Sequence, residues 1–123
     1  MNQQDLMDLL VELSGISDFQ LELKQTYSKC YWGRYFINRK LIRIYALDED
    51  GTQFPDDILI REATHELAHH IQFYHVPGWE RQKGIVHDEQ FYEIHKALMD
   101  KAFGRNVPVK YSPIVERIVA SRK

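Results

Sequence analysis

The spacing of hydrophobic residues changes along the first half of the chain and predicts one helix followed by three strands. Leucines recur at the spacing of one helix face over residues 5–13, and Gly15 ends the run. Residues 19–24 alternate apolar and polar side chains, which is typical of a strand. Residues 31–37 and 41–47 are aromatic and β-branched runs joined by a short polar turn, so they predict a β-hairpin.

The second half of the chain has helical periodicity. A long helix is predicted from Asp56 to about His75, with Asp56 or the next residue as its cap, and it is stopped by the Pro-Gly pair at 77–78. A second helix is predicted over residues 88–103, ended by Gly104. A short last helix is predicted from Pro113.

This order of elements predicts the fold class. The chain reads α-β-β-β-α-α-α with short connections, which predicts an α+β domain over residues 1–123. We expect a small, mainly antiparallel three-stranded sheet packed on the long helix. The composition, 44% hydrophobic and 28% charged, is that of a packed domain rather than a disordered chain.

Compartment and partners are limited by composition. Cys30 is the single cysteine, which excludes an intramolecular disulfide and a Cys-rich zinc ribbon. No apolar run approaches the ~20 residues that cross a bilayer, and the first residues lack the pattern of a secretory signal. We therefore expect no membrane partner and a cytoplasmic location.

Charge is segregated although the net charge is only −2. Residues 19–47 carry six basic residues and one acid, and residues 101–123 carry six and one. Two basic segments predict a weak affinity for DNA. A solvated surface with mixed patches explains the same charges, and both interpretations stay open.

The long helix carries the strongest chemical signal. His65, Glu66 and His69 form H-E-x-x-H, in which positions i and i+4 present two imidazoles on one helix face to a Zn²⁺ ion. Glu66 lies about 100° around the helix, beside the ion, where it can act as the base toward a water. Exposed, solvated histidines are the alternative interpretation.

A catalytic zinc ion needs a third protein ligand, and several residues compete for that role. His75 would complete H-E-x-x-H-x-x-G-x-x-H, but Gln72 replaces the glycine that turns the chain, and a continuous helix points His75 elsewhere. His87 stands where the next helix begins, and we favour it. Three further residues compete: Glu89, Glu93 and His95. We expect His70, on a neighbouring face, to support the site or to be exposed.

The two motifs together resemble the SprT-like zinc metallopeptidases. The resemblance rests on "REATHELAHHIQFYH" and "HDEQFYEIHKAL", and "WGRYFINRKLIRIY" resembles the strands before the family's metal helix, so it covers roughly residues 24–103. It implies His65, His69 and His87 as zinc ligands and Glu66 as the catalytic acid/base. Asp88 stands where the family has a glycine, and an aspartate there can cap the helix.

The resemblance implies proteolysis, and some members of the family cut proteins crosslinked to DNA. We expect a substrate strand to pair with an edge of the sheet at 41–47. Four residues are candidates for stabilising the developing oxyanion: Tyr92, Arg81, His95 and Tyr111. A repressor-cleaving H-E-x-x-H peptidase with an acidic third ligand is one alternative function, and a non-catalytic, zinc-stabilised binding module is another.

Overall fold

The computed structural model describes residues 1–80 and 87–104. These residues form three α-helices and three strands, in the order α1 (Gln3–Ser14), β1 (Gln20–Tyr27), β2 (Gly33–Phe36), β3 (Leu41–Leu47), α2 (Asp56–His75) and α3 (Glu89–Ala102). The α+β class is confirmed. The predicted last helix from Pro113 lies outside the described residues.

Helix α1 ends at Gly15, as its sequence predicts, and begins with a capping box that was not predicted. The Asn2 side chain accepts a hydrogen bond from the Asp5 amide at 2.8 Å, and the Asp5 carboxylate accepts one from the Asn2 amide at 3.2 Å, forming a capping box. Gly15 adopts the left-handed conformation, with φ 69°, and its amide donates to the Val11 carbonyl. The apolar face between these ends is buried in the core.

The sheet is mixed, so the prediction of a mainly antiparallel sheet is wrong. The strand order is β1-β3-β2, with β1 parallel to β3 and β2 antiparallel to it. The predicted hairpin of β2 and β3 is confirmed, with a short 3₁₀ helix at Ile37–Arg39 in its connection. Because β3 is the central strand, residues 41–47 are not an edge, and that prediction is also wrong.

The connection between β1 and β2 explains the error. It crosses two strand spacings, about 10 Å, and a few extended residues reach that far at about 3.3 Å each. Residues 28–32 are therefore long enough to carry the chain past the place that β3 later fills. A short connection limits the distance between strands, but it does not make consecutive strands neighbours.

Helix α2 spans the predicted residues but begins differently from the prediction. Its N-cap is Pro55, whose carbonyl accepts from the amides of Ile58 and Leu59, and no side chain caps it. Asp56 and Asp57 lie in the first turn, where their charges favour the positive end of the helix dipole. The predicted aspartate cap is therefore wrong. Proline precedes the helix at no cost, because it lacks only an amide that has no partner in the helix.

One side chain connects the start of helix α3 to α2. Asp88 is its N-cap and accepts from the Phe91 amide at 2.8 Å, which confirms the capping role expected for it. The same carboxylate accepts from Gln72 Nε2 at 2.7 Å and from Trp79 Nε1 at 3.4 Å. One carboxylate thus fixes the start of α3 to the last turns of α2.

The core lies between the sheet, α1 and α3, with α2 in its middle. Helix α2 contacts β2, β3 and both other helices. Its fully buried apolar side chains include Leu59, Leu67 and Ile71. None of the helices in residues 1–80 and 87–104 has the length and apolar character that crossing a bilayer requires.

Candidate metal centre

Three of the predicted site residues come together where α2 and α3 meet. His65 and His69 lie one turn apart on α2, and His87 lies just before α3. Their ligand nitrogens all lie within 4.8 Å of one another, and the Nε2 atoms of His69 and His87 are 3.2 Å apart. All three side chains are half-buried.

This spacing suits a zinc ion. Zn–N bonds are about 2.0–2.1 Å, so two tetrahedral nitrogen ligands lie roughly 3.3 Å apart. Within residues 1–80 and 87–104, no carboxylate, thiol or further imidazole completes a four-ligand group. The donors can therefore hold a metal ion and leave a position open to solvent or substrate.

The competing third ligands are placed elsewhere. The nitrogens of His75 lie with a different group of residues, described below. His95 Nε2 lies 3.1 Å from both the Arg61 carbonyl and the Thr64 hydroxyl. Glu89 is exposed in the first turn of α3, and Glu93 is half-buried one turn later. Neither glutamate joins the group of three histidines.

Phe91 orients all three imidazoles. Its ring is fully buried, and its centroid lies 4.4 Å from that of His69, 4.6 Å from His87 and 4.8 Å from His65. A rigid aromatic wall limits the rotamers of the three rings at once. Burial lowers the pKa of His65 to about 4, and the charges of His95 and His87 act in the same direction. Neutral imidazole, the form that binds metal, is therefore favoured at pH 7.

Glu66 is the buried carboxylate of the site. Its side chain points to the β2 side of α2, where only 6% of the residue is exposed. Burial, followed by the charge of Glu62, raises its pKa to about 7, while Arg34 opposes that shift. A Cβ atom on Gly33 would lie 3.3 Å from Glu66 Cγ and 3.1 Å from Ile44 Cδ1. The glycine therefore leaves the space that Glu66 fills.

A cavity of about 270 Å³ opens beside Glu66 and His69. Its wall combines residues from β2, the last turns of α2 and the segment after α2. The lining residues are Tyr31, Gly33, Arg34, Tyr35, Ile37, Glu66, His69, Gln72, Phe73 and Trp79. The site thus has a mainly aromatic recess next to the carboxylate and one of the candidate ligands.

Gln72, which replaces the glycine of the longer zinc pattern, connects the two helices. It is 2% exposed, and its amide nitrogen donates to Asp88 and to Gln90 Oε1, at 3.1 Å. Helix α2 continues without a break through this residue to His75. Because the helix continues through Gln72, His75 stays away from the three-histidine group. The hydrogen bond from Gln72 to Asp88 helps to place the neighbouring His87 in that group.

A second group forms on another face of α2. Asp18 Oδ1 lies 2.8 Å from His70 Nε2 and 3.0 Å from His75 Nε2, and the Tyr35 hydroxyl lies 2.6 Å from His70 Nδ1. Burial would raise the pKa of Asp18, but hydrogen bonds from the two histidines lower it to about 2. Burial lowers the pKa of His70 and raises that of Tyr35.

His70 is fully buried, so the expectation that it is exposed is wrong, and its two ring nitrogens lie beside Asp18 and Tyr35. The sequence did not predict that Asp18 and Tyr35 would lie beside His70. Asp18 lies in a loop with no periodic pattern, and Tyr35 is one aromatic residue among several in its strand. Only the fold brings them to His70.

Of the four predicted oxyanion partners, the two that lie within the described residues do not line the cavity. Tyr92 is 59% exposed and does not line it, and His95 is hydrogen-bonded to the backbone of α2. Arg81 and Tyr111 lie outside the described residues. Arg34 and Tyr35 of β2 do line the cavity, and the sequence did not single them out.

Comparison of the chain with protein-family models, with curated proteins and with solved structures gives no match.

The raised pKa of Glu66 predicts a pH-dependent stability of the metal-free protein. The pKa rises from its ordinary 4.5 to about 7 on folding, so the folded state retains the proton over this range. The protonated carboxyl group of Glu66 therefore stabilises the folded state fully below pH 4.5, and this stabilisation is lost as the pH rises through 7. Glu66→Gln, which stays neutral, should therefore become more stable than the wild type above pH 7, by at most about 3 kcal/mol.

Urea unfolding in the presence of a chelator, measured from pH 4.5 to 8.5, checks this expectation. Glu12→Gln removes an exposed carboxylate from α1 and serves as the control, whose difference from the wild type should stay nearly constant. A constant difference for Glu66→Gln as well would show that its carboxyl group titrates normally.

Proposed function

We propose that the chain is a zinc-dependent metallopeptidase that hydrolyses peptide bonds in protein substrates. The observation that carries the proposal is the convergence of His65, His69 and His87 beside the buried Glu66, next to an open cavity. The resemblance to the SprT-like peptidases assigns these four residues the same roles. Cys30, a free and exposed thiol, is compatible with the reducing cytoplasm in which we expect the enzyme to act.

The residues divide the chemistry between them. A zinc ion held by the three histidines would lower the pKa of a water molecule and polarise the scissile carbonyl. Glu66 accepts the proton of that water and returns it to the leaving amine. The nearby cation of Arg34 favours the ionised form of Glu66, which is the form that accepts a proton. The half-buried histidines and the ring of Phe91 keep the base and the ligands at fixed positions.

Substrate binding is proposed along β2, in place of residues 41–47. Among the described residues, β2 pairs with β3 on one side only, so its other edge can accept an extended peptide. Its backbone borders the cavity that also contains Glu66. The rings of Tyr31, Phe73 and Trp79 would contact apolar parts of the substrate.

The alternatives receive less support from the site. A repressor-cleaving peptidase of the kind considered above would use an acidic third ligand, whereas a histidine occupies that place here. A zinc-stabilised binding module would close its metal site with a fourth ligand, and within the described residues the group has three members. A buried carboxylate beside an open cavity favours catalysis.

Glu66→Gln should retain zinc and lose hydrolysis, because the side chain is a base and not a ligand. We expect the rate of cleavage of an unstructured protein to fall by roughly 10²–10⁴-fold, with zinc content unchanged. Elemental analysis and a fluorescence cleavage assay measure both quantities. Glu89→Gln, at an exposed carboxylate of α3, is the control and should keep both; loss of zinc from Glu66→Gln would mean that the base has been mistaken for a ligand.

His87→Ala should remove the ion from the three-histidine site. Loss of one of three ligands weakens zinc binding by orders of magnitude, and metal binding and stability are coupled. His95→Ala, which removes a nearby imidazole hydrogen-bonded to α2, should keep both zinc and cleavage. Competition with a chromophoric chelator compares the two variants, and the third-ligand assignment is wrong if His95→Ala loses this zinc while His87→Ala keeps it.

Binding to DNA is a second candidate property, favoured by one cluster of charges. The guanidinium groups of Arg34, Arg39 and Arg43 lie 4.8, 5.4 and 4.8 Å from the ring centre of Phe36. Arg43 is paired with Glu22, whereas Arg34 and Arg39 are exposed. This arginine cluster lies on the hairpin that borders the cavity. Phosphates bound there would bring DNA-associated proteins close to the proposed catalytic site.

Fluorescence anisotropy with a labelled DNA duplex tests this property. We expect weak binding at low salt that falls steeply as salt rises, because phosphate contacts release counterions. Arg39→Ala should weaken binding and lower the salt slope by about 1, and Lys24→Ala, on the strand at the opposite side of the sheet, should change little. No anisotropy change at low salt would leave the arginines as surface charges.

A further inference from the structure

We propose that Asp18, His70 and His75 form a second metal site, selective for Zn²⁺ and other first-row divalent ions. The site lies on a different face of α2 from His65 and His69 and has no ligand in common with the first. It goes beyond the proposed peptidase function and does not depend on it.

The three donors already lie at close to coordinating distances. Asp18 Oδ1 is 2.8 Å from His70 Nε2 and 3.0 Å from His75 Nε2, and Oδ2 is 3.1 Å from His75 Nε2. One atom from each residue lies within 4.8 Å of the others. Ligands of a tetrahedral zinc ion are separated by roughly 3.3 Å, so the carboxylate would move a few tenths of an ångström away from each imidazole to admit the ion. Two imidazoles and one carboxylate are a donor set that zinc uses in proteins.

The surroundings hold His70 in place for this role. The Tyr35 hydroxyl lies 2.6 Å from its Nδ1, and the rings of Phe19 and Tyr74 lie 5.6 and 5.2 Å away. If Nε2 bound an ion, the ring proton would lie on Nδ1, which could donate it to the tyrosine oxygen. A hydrogen bond to the second nitrogen orients a ligating histidine and fixes its tautomer.

Exposure differs among the three donors. His70 is fully buried, His75 is half-buried, and the Asp18 side chain is 43% exposed. The ion would thus be fixed from inside by the histidine and would reach solvent on the carboxylate side. Such a site can be loaded and stripped without unfolding the chain, which makes its occupancy measurable.

A hydrogen-bonded cluster without metal is the competing interpretation. The Asp18 carboxylate can accept hydrogen bonds from both imidazoles, and Lys40 Nζ lies 3.9 Å from Oδ2. The lysine charge repels a dication, so we expect the second site to bind zinc more weakly than the three-histidine site. Lys40 is 42% exposed, so its charge can be removed by substitution. If the group binds metal, Lys40→Gln should increase the affinity of the second site for zinc.

An ion here would connect distant parts of the chain. Asp18 lies between α1 and β1, whereas His70 and His75 belong to the last turns of α2. The site would hold that loop against the helix and, through Tyr35, would reach the strand that borders the cavity.

Zinc titration of the metal-free chain against a chromophoric chelator tests the proposal. The wild type should bind two equivalents, and His75→Ala and Asp18→Ala should each bind one. Loss of a ligand should weaken the second equivalent by more than the about 10–100-fold that loss of a supporting hydrogen bond costs. His87→Ala should also bind one equivalent, held by the second site, and His75→Ala should retain cleavage activity.

Nitrogen NMR of the histidine rings identifies the ligands directly. In the His87→Ala variant, one equivalent of zinc should shift the Nε2 signals of His70 and His75. Circular dichroism confirms that each variant is folded before titration. The proposal is overturned if the His87→Ala variant binds no zinc, or if His75→Ala keeps the full wild-type stoichiometry. Zinc bound by His87→Ala but not by His75→Ala would support the second site while contradicting the first, so the two hypotheses fail separately.

Discussion

The contact between α2 and α3 sets the positions of the three clustered histidines, because two belong to one helix and the third immediately precedes the other. Phe91 fills the space beneath them, and Asp88 fixes the start of α3 to Gln72. A helix by itself supplies two imidazoles at i and i+4, but the third needs tertiary structure. The three-histidine group is therefore only as well ordered as this helix pair.

The sequence predicted those features that depend on local periodicity. Helix α2 was predicted over the residues it occupies, and the hairpin was predicted because a short polar turn joins its two strands. The position of β3 between β1 and β2 was not predicted, since alternation shows that a segment is a strand but not which strand it pairs with. Capping at Pro55 was missed because aspartates in a first turn resemble caps in sequence.

The same limit applies to the candidate site. His87 was favoured over His75 from helix geometry, and the structure brings its ring to His69. The group around Asp18 was not predicted. Asp18 and His70 are 52 residues apart in the sequence, and no motif connects them. Two adjacent histidines, 69 and 70, point about 100° apart around the helix and so belong to different clusters. Neighbouring residues on a helix point to different faces, whereas residues four positions apart share one.

The shortness of β2 has a consequence for recognition. A strand of four residues is about 13 Å long, so a partner segment aligned with it gains only a few main-chain hydrogen bonds. A strand edge of this length contacts too few residues of a partner to recognise a long sequence. Only an extended segment can pair its main chain with a strand edge, so a folded target would have to unfold locally to bind there. If β2 accepts a substrate as proposed, selection of the target would depend more on its local flexibility than on its sequence.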